Sequence, residues 1–362
     1  MLINILFAIG ILLGVLYLVA RLALRGRPHE AYDSPKPTIT GQRTEPSTEH
    51  LEATKAMASG FANSTATDRK QMLATMREQM DDLGRNVSFA GTITMVEFDG
   101  MKAEWVLSPN ANPDHRLLYI HGGSWTAGSP LSHRAITTEF AMRLDVAVLA
   151  IDYRLIPEHT RLNCVEDCQA AYRWIIENGP NGLAPAESLL VSGDSAGGNL
   201  ALILVAWARD QGLRAADAAI ALSPATDASF TSPTLAANVD TDVMLGPILG
   251  KSILGIPNWL LLWGLWFENK VVPTNPLISP LHGSLQGLPP TLLHASTAEM
   301  LEGDSVRYYN KAMSQGSPVE IGTWPFMLHA WHLFVREQPE AQEAFDHIET
   351  FVRKHVAAIH SA

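Results

Sequence analysis

Charged residues are scarce in this chain of 362 residues, and basic residues are the scarcer kind. Charged side chains make up 17% of the sequence and hydrophobic ones 47%. Such a chain can bury a large core, which excludes global disorder. Lysine and arginine number 26 against 37 aspartates and glutamates, for a net charge of −11. The basic surplus that neutralises phosphates is missing, so we expect no nucleic-acid partner.

Cysteine is rarer still, with only Cys164 and Cys168 in the whole sequence. The two lie four positions apart on a predicted helix, where we expect both to pack as small apolar residues. A secreted fold held together by disulfides is therefore not indicated. Histidines, cysteines and acidic residues also lack the spacing of metal ligands, so we expect neither a metal nor another cofactor.

One long apolar run does occur, at the N-terminus. Residues 2–20 contain no charge and, as a helix, would span about 28 Å, close to the hydrocarbon thickness of a bilayer. A cleaved signal peptide or a buried core helix are the alternatives, but Arg21, Arg25 and Arg27 follow the run instead of preceding it. We predict a single-pass membrane anchor over residues 1–26. The positive-inside rule then places the rest of the chain in the cytoplasm.

The remaining chain divides into segments that differ in composition and in hydrophobic periodicity. Residues 27–48 are rich in proline, serine and threonine and predict a linker. Residues 49–88 are predominantly helical in pattern, and across residues 89–362 strand-like runs alternate with helix-like ones. That alternation predicts an α/β fold with a mainly parallel sheet flanked by helices. One apolar stretch, residues 243–267, is interrupted by glycine and proline, which favours short helices over a second membrane span.

Three glycines crowd around one serine in LLVSGDSAGGNL, residues 189–200. Gly193-Asp194-Ser195-Ala196-Gly197 matches G-x-S-x-G, the nucleophile elbow of α/β-hydrolases, with a strand pattern before it and a helix pattern after it. In that sharp turn a side chain at either glycine would clash, and the serine hydroxyl points outward. We predict that Ser195 is a catalytic nucleophile.

A second glycine cluster, His121-Gly122-Gly123-Ser124, follows the strand RLLYI. Small residues there let backbone N–H groups face the carbonyl oxygen of a bound ester as it becomes negative. We predict an oxyanion hole made by the N–H groups of Gly122, Gly123 and Ala196.

Together these motifs make the chain resemble the hormone-sensitive-lipase-like family of α/β-hydrolases. The resemblance runs from about residue 90 to the C-terminus and is carried by HGGS (121–124), DYRLIPEH (152–159), GDSAGG (193–198) and SPL (279–281). It implies an α/β-hydrolase fold whose site is covered by a helical cap, here residues 49–88 and an insertion at about 228–272. Two features depart from the family pattern: Ser124 replaces a glycine, and Thr160-Arg161-Leu162-Asn163 stands where an apolar run is expected.

The elbow requires an acid and a base after the serine, in that order. Glu299 follows the strand TLLHA, where the family's catalytic acid falls, and Asp304 is the alternative. His329 lies in the loop after the strand VEIGTW and resembles the family's catalytic histidine, with His332 as the alternative. We favour Glu299 and His329.

These residues predict a serine hydrolase that cleaves small-molecule or lipid carboxylic esters through an acyl-enzyme. Two alternatives stay open. One is a receptor that binds a small ligand on the same fold without catalysis, and the other is a hydrolase of amides or lipid acylglycerols. Fold alone does not choose among them, and the sequence predicts no oligomeric state.

Overall fold

The computed structural model describes residues 2–62, 68–250 and 254–359. Within these ranges the helices are α1 (Leu2–Val19), α2 (Thr48–Ala62), α3 (Arg69–Arg85), α4 (Arg134–Leu144), α5 (Arg161–Glu177), α6 (Ala196–Asp210), α7 (Thr234–Ala237), α8 (Asn258–Asn269), α9 (Glu302–Ser314) and α10 (Pro339–His355). The strands are β1 (Thr92–Phe98), β2 (Met101–Leu107), β3 (Asn112–Ile120), β4 (Val146–Ile151), β5 (Asn178–Gly179), β6 (Gly182–Leu183), β7 (Ser188–Asp194), β8 (Ala218–Leu222), β9 (Thr291–Ser296) and β10 (Val319–Trp324).

One large sheet organises the described chain, with strand order β1-β2-β4-β3-β7-β8-β9-β10. The β1–β2 hairpin turns at Asp99-Gly100, and β2 pairs antiparallel with β4. From β4 to β10 neighbouring strands run parallel. The prediction of a mainly parallel sheet is therefore confirmed. The carboxyl ends of the parallel strands meet at one edge, which is where open α/β sheets place their ligands.

Alternating side chains of each strand fill two cores, one on either face of the sheet. Leu118 and Ile120 of β3 face a core shared with α5 and α6, whereas Leu117 and Tyr119 face a core shared with α4 and α10. This two-residue alternation is the period of a strand. Each fully buried aliphatic side chain contributes about 1.5–3 kcal/mol of hydrophobic stabilisation. Helices thus cover both faces, as the sequence predicts.

Residues 27–48, which the composition predicts as a linker, make hydrogen bonds to distant parts of the chain. We call this segment the strap. The Asp33 carboxylate accepts a hydrogen bond from Arg307 Nε at 2.6 Å, and Thr40 N–H donates to the carbonyl of Thr323 at 2.8 Å. The strap lacks a helical or strand periodicity, as its sequence indicates. Its hydrogen-bond partners lie nearly 300 residues away in sequence, so the local sequence does not reveal them.

Helix α3 lies against the loop that follows β3. Arg77 Nε donates to the carbonyl of Thr126 at 2.8 Å, and the Ser129 hydroxyl donates to Asp81 at 2.5 Å. Gly84 allows the close approach, because a Cβ there would lie 1.6 Å from the carbonyl oxygen of Leu131. The helical segment before the sheet therefore braces the loop that contains the HGGS motif.

The apolar N-terminus forms α1 and continues as a π-helix from Ala20 to Leu24. Among the described residues, Ile3–Leu24 is the one helix long and apolar enough to cross a membrane, with a mean hydropathy of 2.6. Only 6% of its most apolar window is buried, which argues against a core helix. In the region of residues 243–267, a π-helix at Gly246–Gly250 and α8 are short elements, as predicted; residues 251–253 lie outside the described chain.

Candidate active site

Ser195 occupies the sharp turn between β7 and α6 in a conformation that few residues adopt, with φ 51° and ψ −114°. The neighbouring glycines make the turn possible. A Cβ on Gly193 would lie 2.5 Å from the carbonyl carbon of Gly197, and one on Gly197 would lie 1.9 Å from the carbonyl oxygen of Ile120. Backbone strain of this kind concentrates at functional sites. The predicted nucleophile elbow is present in this geometry.

The loop after β10 brings His329 to the serine. Its Nε2 lies 2.8 Å from Ser195 Oγ, and its Nδ1 lies 2.7 Å from Glu299 Oε2. Glu299 is held in turn, because its Oε1 accepts the N–H of Ser296 at 2.8 Å. The structure thus brings the three residues singled out in the sequence into one hydrogen-bonded line at the carboxyl edge of the sheet.

The carboxylate of Glu299 favours protonation of the His329 imidazole. Burial by itself would lower the pKa of His329, but the hydrogen bond and the negative charge of Glu299 outweigh it and raise that pKa above its usual value of 6.5. A raised pKa makes His329 a stronger base, which favours the transfer of a proton to its imidazole.

The two alternative residues have other partners. Asp304 Oδ2 accepts the N–H groups of Thr226 and Asp227 at 2.7 and 3.0 Å, and burial raises its pKa to about 7. His332 Nε2 lies 3.0 Å from His294 Nδ1, and burial lowers the pKa of His332 to about 3. Neither contacts Ser195 through any hydrogen bond among the described residues.

The N–H of Gly122, one of the three predicted oxyanion donors, has a partner within the protein. Its N–H donates to Asp194 Oδ1 at 3.0 Å, and the same carboxylate accepts the Tyr119 hydroxyl at 2.6 Å and lies 3.3 Å from His133 Nε2. Burial would raise the pKa of Asp194, but His133 and these hydrogen bonds lower it to about 2. An ionised carboxylate therefore occupies the Gly122 donor, a contact between residues 72 positions apart.

The backbone N–H groups that follow Gly122 have no hydrogen-bond partner among the described residues. Gly123, Ser124 and Trp125 have positive φ values of 110°, 54° and 59°, a run that turns the backbone sharply. The N–H groups of Gly123, Ser124 and Ala196 make no hydrogen bond to any other described residue. Ser195 also leaves the N-terminus of α6 without a side-chain cap, so the positive end of that helix faces the serine.

Residues of the predicted cap insertion contact the loop that contains Glu299. The side-chain amide of Asn238 donates to the carbonyls of Thr297 and Glu299 at 3.0 and 2.8 Å. Asp242 Oδ2 accepts the N–H of Met300 at 2.8 Å. Sequence reasoning missed both residues, because nothing near Asn238 or Asp242 in the chain signals a contact about 60 positions away.

Residues 160–163, which depart from the family pattern, make specific contacts in the structure. Thr160 caps α5 in a reciprocal capping box with Asn163. The Arg161 guanidinium lies 3.3 Å from the ring centroid of Trp125, directly after the HGGS motif, and donates to Asn199 Oδ1 at 3.1 Å. Arg161 therefore joins the residue after the HGGS motif to α6, the helix that follows Ser195.

The cap also encloses apolar space. A cavity of about 200 Å³ is lined by Leu254, Ile256 and Leu261 of the insertion on one side and by Met300 and Leu301, next to Glu299, on another. In the described part of the chain no cluster of three or more His, Cys, Asp or Glu side chains could hold a metal ion. The wall of the cavity thus includes Met300, the residue that follows Glu299.

Known proteins are similar to this chain in fold and in sequence. Residues 117–333 match the family described as the alpha/beta hydrolase fold. An acetyl-hydrolase of Streptomyces hygroscopicus is 33% identical over 69% of this chain and 79% of its own length, and an esterase of Acinetobacter venetianus is 30% identical over 76% and 87%. A crystal structure of an esterase/lipase from an uncultured bacterium superposes with a TM-score of 0.73 at 32% identity, covering 86% of this chain and 99% of the other.

A crystal structure of an esterase from the bacterial hormone-sensitive lipase family superposes with a TM-score of 0.74 at 28% identity, over 86% of this chain and all of the other. By fold and by the elbow geometry the protein is an α/β-hydrolase. Within that class the chain belongs to the hormone-sensitive-lipase-like family, and it is an enzyme of the carboxylesterase/lipase type.

Proposed function

We propose that the enzyme cleaves carboxylic esters through an acyl-enzyme on Ser195. The single observation that carries this proposal is the line Ser195–His329–Glu299, with contacts of 2.8 and 2.7 Å. A hydroxyl in contact with an imidazole that a carboxylate orients is the arrangement that activates a serine at neutral pH.

The first half of the reaction forms the acyl-enzyme. Ser195 Oγ attacks the ester carbonyl carbon while His329 Nε2 takes the hydroxyl proton, and Glu299 stabilises the resulting imidazolium. The N–H groups of Gly123, Ser124 and Ala196 hold the negative oxygen of the tetrahedral intermediate, each such donor being worth about 3 kcal/mol. The intermediate then collapses, the bond to the alcohol breaks, and His329 gives its proton to the departing alkoxide.

The second half releases the acid. His329 removes a proton from a water molecule, and the hydroxide attacks the carbonyl carbon of the acyl-serine. Collapse of the second tetrahedral intermediate breaks the bond to Ser195 Oγ, which recovers the proton from His329. Alcohol and carboxylic acid are the products, and the enzyme returns to its starting state.

Replacing the nucleophile tests this mechanism. We expect Ser195→Ala to lower kcat for p-nitrophenyl acetate by about 10⁴-fold or more and to abolish covalent labelling by a fluorophosphonate. The melting temperature should change little, because only one hydroxyl is lost. Ester hydrolysis retained in this variant would refute the acyl-enzyme on Ser195, and a wild-type protein that did not react with the probe would favour a non-catalytic receptor.

We further propose that residues 1–26 anchor the enzyme in a membrane with the catalytic domain in the cytoplasm. The exposed apolar surface of Ile3–Leu24 and the arginines at its C-terminal end support this orientation. Protease protection of sealed inverted vesicles tests it: the catalytic domain should be digested from the outside. If the catalytic domain were digested only after the vesicles are opened, it would lie on the opposite side of the membrane. If the enzyme were found in the soluble fraction without its first residues, the anchor would be refuted.

A further inference from the structure

The C-terminal part of α1 lies directly on the cap helix α8. Trp263 Nε1 donates to the carbonyl oxygen of Leu16 at 3.0 Å. The rings of Tyr17 and Trp259 meet edge to face, with centroids 6.3 Å apart. Ala20, Leu24 and Leu262 form a small buried cluster beneath these contacts. A direct hydrogen bond therefore joins the proposed anchor to the cap.

The position of this contact along α1 determines its depth. The apolar helix runs over 22 residues from Ile3 to Leu24, or about 33 Å, close to the ~30 Å hydrocarbon core of a bilayer. Leu16 precedes Leu24 by eight positions, which places it about 12 Å along the helix from that end. When the helix spans the bilayer, Trp263 must therefore lie below the headgroups.

Contacts of the strap restrict movement of the proposed anchor relative to the catalytic domain. Arg25 pairs with Glu30 at 3.6 Å. His29 Nε2 lies 3.2 Å from His282 Nδ1, and His282 Nε2 lies 3.0 Å from Asp227 Oδ1 in the catalytic domain. These contacts begin within five residues of Leu24, so the orientation of the catalytic domain follows that of the membrane helix.

The surface of the cap beside α1 is apolar and exposed. We define the cap face as Leu254, Ile256, Leu260 and Phe267, whose side chains are 44%, 44%, 44% and 59% exposed. Leu260 and Phe267 are seven positions apart and lie on the same side of α8. Lys270 lies 5.6 Å from the Phe267 ring centroid, where its ammonium could reach the headgroup level from the apolar face.

We propose that the cap face inserts into the acyl-chain region of the leaflet that holds the C-terminal end of α1, and that the enzyme takes long-chain esters dissolved in that leaflet. The proposal rests on the proposed hydrolase function and on the anchor. Leu254 and Ile256 belong both to the cap face and to the 200 Å³ apolar cavity whose other wall includes Met300, the residue after Glu299. An acyl chain that enters from the bilayer thus meets an apolar path toward the acid loop.

Depth measurements on single spin labels test the insertion. Full-length Leu260→Cys and Phe267→Cys proteins are labelled and placed in vesicles of phosphatidylcholine and phosphatidylglycerol; the native Cys164 and Cys168 are buried. We expect both labels to collide more often with oxygen, which concentrates in lipid, than with a nickel chelate, which stays in water. Leu12→Cys on α1 is the membrane control, and Leu183→Cys, at a residue 83% exposed on the β5–β6 hairpin, is the water control.

Labels at 260 and 267 that behave like the one at 183, while the one at 12 reports lipid, would overturn the proposal. A label at 12 that reports water would overturn it as well, because the anchor would not be inserted.

A kinetic comparison tests the substrate class. We expect the double variant Leu260→Glu, Phe267→Glu to lower the ratio of p-nitrophenyl palmitate hydrolysis in vesicles to p-nitrophenyl acetate hydrolysis in water by about tenfold or more, because charges oppose insertion of an apolar face. Leu183→Glu places one glutamate at an exposed leucine outside the cap face and should leave the ratio unchanged. An unchanged ratio in the double variant would refute membrane uptake, whereas hydrolysis that survives Ser195→Ala would refute the hydrolase mechanism instead.

Discussion

The side-chain amide of Asn238 donates to the backbone carbonyl of Glu299 at 2.8 Å, across 61 positions of sequence. Asn238 belongs to the cap insertion and Glu299 to the loop after β9, so the contact ties cap and acid together. In the proposed mechanism Glu299 can orient His329 only if its own loop is fixed, so we predict that Asn238 is a positioning residue.

We expect Asn238→Ala to lower kcat by about tenfold, the size of effect found when groups that orient a functional side chain are removed. KM should change little, because Asn238 holds the acid and not the substrate. Steady-state kinetics with p-nitrophenyl acetate measure both. Asn269→Ala is the matched control, since among the described residues that amide donates to the carbonyl of Leu265 within α8 and to no other group. Equal losses in the two variants would contradict a positioning role for Asn238.

The pH dependence of the reaction should report the raised pKa of His329. The imidazole must be neutral to accept a proton, so activity falls as pH drops through its pKa, and that acid limb should lie above pH 6.5. In Glu299→Gln the compensating charge is gone and burial lowers the pKa, so the limb should move to lower pH while kcat falls by roughly 10²–10⁴-fold. The measurement is kcat/KM against pH.

Glu302→Gln is the control for that profile. Glu302 pairs with Lys36 of the strap at 3.0 Å and makes no hydrogen bond to His329. Its removal should leave the acid limb in place. A limb that does not move in Glu299→Gln would show that another group titrates.

Amide-to-ester replacement of single backbone positions tests the revised oxyanion hole. Removing the N–H of Ser124 should lower kcat by about 10²–10³-fold, the loss typical of one oxyanion donor. Removing the hydroxyl alone, in Ser124→Ala, should leave kcat nearly unchanged. At Gly122 the same ester replacement should mainly lower the melting temperature, because the lost donor pairs with the buried Asp194 carboxylate. A larger kcat loss at 122 than at 124 would restore the original assignment.

Gly197→Ala tests the packing of the elbow. The new methyl group would lie 1.9 Å from the carbonyl oxygen of Ile120, so β3 or α6 must shift, and we expect a loss of about 2–4 kcal/mol in unfolding free energy. Chemical denaturation in detergent measures it. Gly264→Ala in α8, where no atom lies within 4 Å of the new Cβ, should instead be neutral or slightly stabilising. Equal stability of the two variants would contradict the close contact.

Sequence reasoning reached the elements whose signals are local. The apolar runs of β3, β4, β7, β8, β9 and β10, the Asp99-Gly100 hairpin and the glycines around Ser195 each follow from the conformations that neighbouring residues can adopt. It could not show that the N–H of Gly122 pairs with Asp194, because the chain shows a donor but not the direction of its N–H. Nor could it show that the predicted linker, residues 27–48, contacts distant residues such as Arg307.

The amino-acid sequence by itself determined the parallel sheet, the strained serine turn and the apolar N-terminal helix, since steric and hydrophobic preferences act over a few neighbouring residues. Tertiary structure alone decided which N–H groups remain unoccupied near Ser195, that Asn238 holds the Glu299 loop, and that Trp263 reaches Leu16. Those arrangements depend on hydrogen-bond geometry between segments far apart in the chain, which only the packed fold defines.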